Sequence, residues 1–316
     1  MYKRRTTRNC HSLWIFAVLA LSLIASPGAE RLPSAGKISY IFPKYESVEG
    51  MEFYAGKQEY EAVVNDANFI FEKLKTTSDG ITIVNYLYRP SNTAHRQFPV
   101  IVFARGSATM GDAAPQLIAC FHRLAAQGFV VLAPQYRGSD GGEGKDEIGG
   151  ADLNDVVGAL QLIKSLDYAD PRNVFLYGES RGGMMTYQAI RDGFPANAAA
   201  VLGAFTYLEI MNQSAYVQKI IPQIWPDYDQ HKDSIIRRRS AKYWQEKFNV
   251  PVLIMNGTAD QQVDPKQPLG LAMQLQVLHK EYALILYANG NHLLTADRLD
   301  CDAQAVSWFR KHMRTE

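Results

Sequence analysis

Val174-Phe175-Leu176-Tyr177-Gly178-Glu179-Ser180-Arg181-Gly182-Gly183-Met184-Met185 decides how the rest of the chain is read. A short run of apolar, β-branched and aromatic residues leads into Gly-x-Ser-x-Gly, and a helical pattern leads out of it. A serine in that setting sits on a tight strand-to-helix turn, which pushes its Oγ out at the top of a sheet. The backbone crowds itself there, so the positions two before and two after the serine need small residues; Gly178 and Gly182 fill them. The N–H of Arg181, just after the serine, falls at the helix N-terminus, where a developing oxyanion is stabilised. The five-residue pattern by itself also occurs in ordinary Gly-rich βα turns. Its flanks, and the order of the acids and histidines that follow, carry the argument.

Outward from this turn, buried strands are predicted at 99–103, 129–133, 174–177, 198–204, 252–255 and 283–287. Helices at 113–127, 152–166, 181–191, 268–278 and 295–312 alternate with them. That spacing argues for an α/β protein with a mostly parallel central sheet covered by helices on both faces; with the serine turn added, the arrangement resembles the α/β-hydrolase fold. Ahead of it, 69–76 and 81–88 read as a hairpin around Ser78-Asp79-Gly80, and 30–68 as a largely extended lead-in with a short helix over 54–67. The Gly-rich loop 134–144 has unevenly spaced glycines and opens no phosphate-binding turn. Residues 205–248 break the pattern, as a small helical insertion over a site does. Tyr207, Tyr216, Trp225 and Tyr228 are its candidate pocket aromatics, although aromatics in such a segment are more often packing residues, and Arg237-Arg238-Arg239 reads as a solvated face. The hydrolase domain thus spans 69–316.

The first 29 residues are set aside. Lys3, Arg4, Arg5 and Arg8 precede the apolar run 13–24, and small residues follow at Ala25, Ser26, Gly28 and Ala29. Either a cleaved signal peptide or an uncleaved anchor satisfies this pattern, and both place the rest of the chain outside the cytoplasm, periplasmic or extracellular. Cys10 lies ahead of the apolar run and cannot be a lipoprotein cysteine. Cleavage would take the net charge from +1 to about −3, so nothing recommends nucleic acid or an anionic membrane as a partner. Cys120 and Cys301 fall in predicted helices and are read as buried free thiols. No cysteine or histidine spacing suggests a metal site, and no cofactor is implied.

A serine hydroxyl is a poor nucleophile and needs a base, itself held by an acid. In this fold the chain order is serine, acid, histidine, each at the C-terminal end of a strand. The strand 252–255 runs into Asn256-Gly257-Thr258-Ala259-Asp260-Gln261-Gln262-Val263-Asp264-Pro265. Asp260 is preferred as the acid, because Asp264 before a proline suits a helix cap. Of seven histidines, His11 is in the leader and His95 in a polar loop before the serine strand. His122, His279 and His312 lie in or at the ends of helices, and His231 in the insertion. His292 alone follows a strand directly. Oxyanion donors are expected from the N–H of Arg181 and, in the loop after the strand 99–103, from Gly106 or a neighbour.

As an ordered set, five stretches resemble the catalytic domain of the prolyl oligopeptidase family of serine peptidases, especially its acylaminoacyl-peptidase and dipeptidyl-aminopeptidase-like branch. They are Tyr136-Arg137-Gly138-Ser139, Gly178 to Gly183, Arg239-Ser240-Ala241, Asn256 to Val263, and Gly290-Asn291-His292. The resemblance spans about 70–312 and implies a Ser180–Asp260–His292 triad that cleaves peptide, amide or ester bonds. Arg105 and Tyr136 are the expected substrate contacts, and a small peptide or ester the expected substrate. The chain departs from the family twice. Many members carry a β-propeller ahead of this domain, which the few dozen residues before Phe69 are too few to build. The family's usual oxyanion loop offers a tyrosine or a His-Gly-Gly sequence, where this chain has Ala104-Arg105-Gly106-Ser107. These departures leave ester hydrolysis beside peptide hydrolysis, with a non-catalytic binding protein as the reading from another class.

Overall fold

Along the central strands, successive apolar side chains pack on opposite faces, and each face has its own helices. Val100, Val102, Val174, Leu176, Ala199, Val201, Val252 and Ile254 meet one layer. Ile101, Phe103, Phe175, Tyr177, Ala198, Ala200, Leu253 and Met255 meet the other. The computed structural model describes residues 36–94, 96–107, 111–208 and 221–315, which belong to one compact unit. The leader 1–29, His95 and Tyr216 lie outside the described residues.

The described strands are β1 (Gly36–Ile38), β2 (Phe69–Ser78), β3 (Ile81–Pro90), β4 (Phe98–Ala104), β5 (Val130–Pro134), β6 (Ala169–Glu179), β7 (Ala198–Leu202), β8 (Val252–Gly257) and β9 (Tyr282–Tyr287). They form one sheet in the order β1-β2-β3-β5-β4-β6-β7-β8-β9. The first three strands pair antiparallel, β3 joins β5 antiparallel, and the rest of the sheet is parallel. The hairpin β2–β3 turns on Asp79 and Gly80, both at positive φ (49° and 80°), the combination that a two-residue turn matched to strand twist requires.

Helices α1 (Lys57–Val64), α2 (Ala114–Ala125) and α7 (Arg298–Lys311) cover one face. Helices α3 (Leu153–Ser165), α4 (Arg181–Arg191), α5 (Tyr228–Arg239) and α6 (Lys266–Val277) cover the other. The lead-in is more than an extended approach: it adds β1 to the sheet edge and buries Met51, Tyr60 and Val63 in the core under α2. Cys120 and Cys301 are both buried free thiols. Burial pushes the Cys301 thiol up to about 12, which leaves it without thiolate character.

The expectation of a solvated face at Arg237-Arg238-Arg239 fails at Arg239. This residue is only 4% exposed, because it shares the inner side of α5 with Ile236. Its Nε donates to the Ile148 carbonyl at 2.6 Å and its Nη2 to that of Glu147 at 3.0 Å. The Trp225 ring lies 4.6 Å from its guanidinium carbon, and the indole N–H also donates to Glu147 O, at 2.9 Å. Burial drags the guanidinium down to about 10. Arg239 and Trp225 thereby dock the insertion on the loop before α3, so Trp225 is a packing residue.

Candidate active site

Parallel strands end on one edge of the sheet, and the loops leaving β4, β6, β7, β8 and β9 gather there. Between β6 and α4 the chain turns at Ser180, whose backbone is held at φ 51°, ψ −117°, a strained conformation for a residue with a side chain. Neighbours lock it in place. The Ser180 N–H donates to Leu202 O of β7 at 2.8 Å. A Cβ on Gly182 would lie 1.8 Å from the Ala104 carbonyl oxygen, and one on Gly178 would lie 2.5 Å from Gly182 O. Gly182 therefore permits the close backbone contact between β4 and the start of α4, and Gly178 that between β6 and α4.

The loop after β8 supplies Asp260. Its Oδ1 accepts from the N–H groups of Gln262 (2.8 Å) and Val263 (2.9 Å), which fixes the carboxylate plane and leaves Oδ2 for another partner. Asp264, the competing acid, instead caps α6: its Oδ1 accepts from the Lys266 N–H at 2.9 Å. The loop after β9 supplies His292. It is pinned to the β8 loop by Ala259 N–H donating to Gly290 O (3.0 Å) and Asn289 N–H to Thr258 Oγ1 (2.8 Å). Nδ1 of His292 lies 2.8 Å from Asp260 Oδ2, and Nε2 lies 2.9 Å from Ser180 Oγ. Asp260 and His292 are buried, at 5% and 7% exposure. Gly203, after β7, backs the imidazole: a Cβ there would lie 3.1 Å from His292 Cε1. Nothing local in the sequence singles out Gly203.

Gly106 also comes to the serine. A Cβ on it would sit 3.2 Å from Ser180 Cβ and 3.3 Å from Glu179 O. The Arg181 N–H opens α4, where the helix itself offers no acceptor. Both expected oxyanion donors thus belong to backbone that flanks Ser180.

Arg105 and Tyr136 are corrected: neither is offered to a substrate. Arg105 is 2% exposed, and its guanidinium turns back into the fold. It donates to Gln135 Oε1 (3.0 Å), Gln135 O (2.8 Å) and Ser139 Oγ (3.1 Å), and to the carbonyls of Gly106 (3.0 Å) and Ser107 (3.2 Å). Tyr136 is fully buried, and its hydroxyl donates to Arg105 O at 2.9 Å. The guanidinium carbons of Arg105 and Arg181 both lie over its ring, 4.8 Å and 4.4 Å from the centroid. The Arg181 side chain forms a fork on Asp146, with both contacts at 2.6 Å, and reaches Asp152 at 2.6 Å. Burial works against the Arg181 charge, but Asp152 and Asp146 more than offset it and hold its proton more tightly than usual. These residues are scaffold: they stiffen the loops that carry Gly106 and the serine turn.

Among the described residues, no group of histidine, cysteine, aspartate and glutamate could hold a metal ion, and no helix is long and apolar enough to cross a membrane. The sequence profile of the Prolyl oligopeptidase family matches residues 116–316. The chain belongs to the prolyl oligopeptidase family. As a member it is a hydrolase of the serine-peptidase type. A Bacillus subtilis relative, described as the uncharacterized peptidase YtmA, is 28% identical over 225 residues, covering 68% of this chain and 83% of that one. The acylamino-acid-releasing enzyme of Rattus norvegicus is 26% identical over 253 residues, covering 72% of this chain but only 33% of that one. Among solved structures, a puromycin-hydrolyzing peptidase of Mycobacterium tuberculosis superposes with TM-score 0.68 at 20% identity. It matches over 80% of this chain and 41% of its own length, and bears on the fold alone. Against the larger family members, then, this chain spans about a third to two-fifths of their length.

Proposed function

We propose that this prolyl oligopeptidase-family chain cleaves small peptide or amide substrates through an acyl-enzyme on a Ser180–His292–Asp260 triad. Ser180 Oγ attacks the carbonyl carbon while His292 Nε2 takes its proton. The tetrahedral oxyanion is held by the N–H groups of Arg181 and Gly106. His292 returns the proton to the leaving amine, and water then repeats the sequence on the acyl-enzyme. Asp260 keeps the proton of neutral His292 on Nδ1 and stabilises the imidazolium. The observation that carries this reading is the continuous chain Ser180 Oγ–His292 Nε2–His292 Nδ1–Asp260 Oδ2, with contacts of 2.9 and 2.8 Å. The test is reaction of the purified chain with a fluorophosphonate probe beside Ser180→Ala and His292→Ala. Labelling of the wild type alone is expected; a folded wild type that does not label sinks the mechanism.

Carboxylic-ester hydrolysis on the same residues is the second reading. The observation favouring it is the oxyanion loop, where the buried Arg105 side chain is engaged by Gln135 and by the carbonyls of Gly106 and Ser107 rather than offered to an oxyanion. Acyl-enzyme formation from esters demands less of the oxyanion site than amide cleavage does. A matched panel of acyl-aminoacyl amides and esters separates the two: turnover confined to the esters would replace the peptidase reading. Export to the periplasm or beyond is part of the proposal, on the strength of the basic and apolar segment at 3–24. The mass of the chain recovered from its native compartment checks it.

A further inference from the structure

The residue between Gly178 and the serine is a glutamate, and its side chain is buried with only 4% exposed. It is not aimed at solvent or at His292 but forms an ion pair with Arg298, whose side chain is 11% exposed. Arg298 opens α7, a few residues downstream of His292. A second contact runs alongside: the Tyr177 hydroxyl, also at the end of β6, donates to Asp302 Oδ1 at 3.0 Å. Asp302 sits one turn along α7, with its Oδ1 3.7 Å from Arg298 Nε and its Oδ2 accepting from Arg123 Nε at 2.7 Å. Two side chains of the serine strand thus grip two side chains at the start of α7.

Between β9 and that grip lies the loop bearing His292. Its upstream end is tied to the β8 loop, which also carries Asp260. Its downstream end passes through Leu294, buried and strained at φ 49°, straight into α7. The upstream ties fix His292 relative to Asp260; the grip on α7 ties the same loop to the element that carries Ser180. A buried ion pair is a costly way to join two elements, since apolar residues of like volume usually serve stability as well or better. What it adds is direction: the planar Arg298 guanidinium is hydrogen-bonded to Glu179 through Nη2, with Asp302 within ion-pair distance of its Nε at 3.7 Å.

We propose that Arg298, acting through Glu179, is a positioning residue that sets the Ser180–His292 contact. The proposal rests on the triad reading above and assigns the pair no contact with substrate. Misplacement of a catalytic pair by about 1 Å costs on the order of 100-fold in rate, so loosening this tie is expected to slow acylation 10- to 100-fold while leaving KM within about twofold.

The decisive variant is the double neutral one, Glu179→Gln with Arg298→Met, because either substitution alone strands a buried charge and confounds folding with function. It is compared with wild type, Ser180→Ala and Arg298→Lys by thermal unfolding, by fluorophosphonate labelling rate, and by kcat and KM on whichever substrate of the panel is turned over. The double variant is expected to melt near wild type yet label 10- to 100-fold more slowly, with the loss in kcat. Arg298→Lys keeps the charge but cannot span Glu179 and Asp302, so it is expected to fold and label about tenfold more slowly. If the double variant does not fold, Arg298→Lys decides. A folded variant of either kind labelling at the wild-type rate overturns the proposal while leaving the triad standing; a folded wild type that does not label overturns both.

Discussion

Asp260→Asn tests the proposed base most sharply, because the surrounding backbone dictates how the amide must sit. Oδ1 of Asp260 accepts from two N–H groups, those of Gln262 at 2.8 Å and Val263 at 2.9 Å. An asparagine there has to keep its carbonyl oxygen on that side, since turning its NH2 towards two donors would leave all of them unpaired. The NH2 then faces His292 Nδ1, 2.8 Å from the atom it replaces. Nδ1 must accept, so the imidazole proton moves to Nε2, and Nε2 can no longer take a proton from Ser180 Oγ. The same exchange of Asp for Asn in a serine-protease triad costs about 10⁴ in kcat, or about 5 kcal/mol of transition-state stabilisation at roughly 1.4 kcal/mol per decade. The geometry here gives no reason for less. The fold should be little disturbed, because size, shape and the two backbone contacts are all kept. The assay is the fluorophosphonate labelling rate at pH 7 with circular dichroism and thermal unfolding alongside. A folded Asp260→Asn chain that labels within tenfold of wild type would refute the reasoning, and Asp264 would then have to be tested as the acid.

Gly203→Ala places a methyl 3.1 Å from His292 Cε1 at a residue held at φ +57°. We expect a folded protein, destabilised by about 1 kcal/mol for the backbone alone, with labelling slowed at least tenfold; an unchanged rate would mean that the ring is not backed there. Gly182→Ala puts Cβ 1.8 Å from Ala104 O, against the backbone of Ala104 and Arg105, so it should give no folded protein or a melting temperature more than about 10 °C lower. A soluble variant melting within 2 °C of wild type contradicts the close approach. Burial opposes ionisation of Asp152, but Arg181 and the N–H groups of Gly149 and Gly150 more than offset it and depress its carboxyl below the ordinary carboxylate range. Its folded value lies below the unfolded value of about 3.9. The stability it contributes is therefore complete well above that value and is lost as pH falls through the folded one. Urea midpoints of the wild type should fall more steeply below pH 4 than those of Asp152→Asn; parallel profiles would count against the network.

Strand, turn and helix were legible wherever the determining pattern was local. The run before Ser180, the Asp79-Gly80 turn and the two glycines around the serine each carry their reason within a few residues, and the structure places all of them as read. Asp260 and His292 were legible because position in a parallel sheet follows from order along the chain: side chains just past strand ends meet at one edge. The misread residues are of another kind. Arg105, Tyr136 and Arg239 have side chains whose default is exposure or ligand contact, and each is buried by partners distant in sequence. Arg105 is held by Gln135 and Ser139, Tyr136 by Arg105 and Arg181, and Arg239 by the carbonyls of Glu147 and Ile148. A charged group leaves water only when such partners are supplied together, and no window of sequence contains both sides of that arrangement. In the lead-in the short helix read over 54–67 is found at Lys57–Val64, but the burial of Met51 and Tyr60 was not legible, because they look unremarkable until α2 and the antiparallel end of the sheet exist to cover them.

This division has a consequence for how activity should be lost. The three side chains of the proposed triad sit just past strand ends that the core fixes, so on that proposal substituting one of them removes chemistry from an intact fold. Two of the arrangements that hold the loops in register do so through buried ion pairs: Arg181 against Asp146 and Asp152, and Glu179 against Arg298. Removing one member there leaves the other charged and unpaired in the interior, at a cost of several kcal/mol, which is a large share of what holds any domain folded. Single substitutions at these positions therefore lower stability and activity together and cannot rank the two. Paired neutral substitutions can, because they take out the direction that the ion pair imposes without leaving a charge stranded.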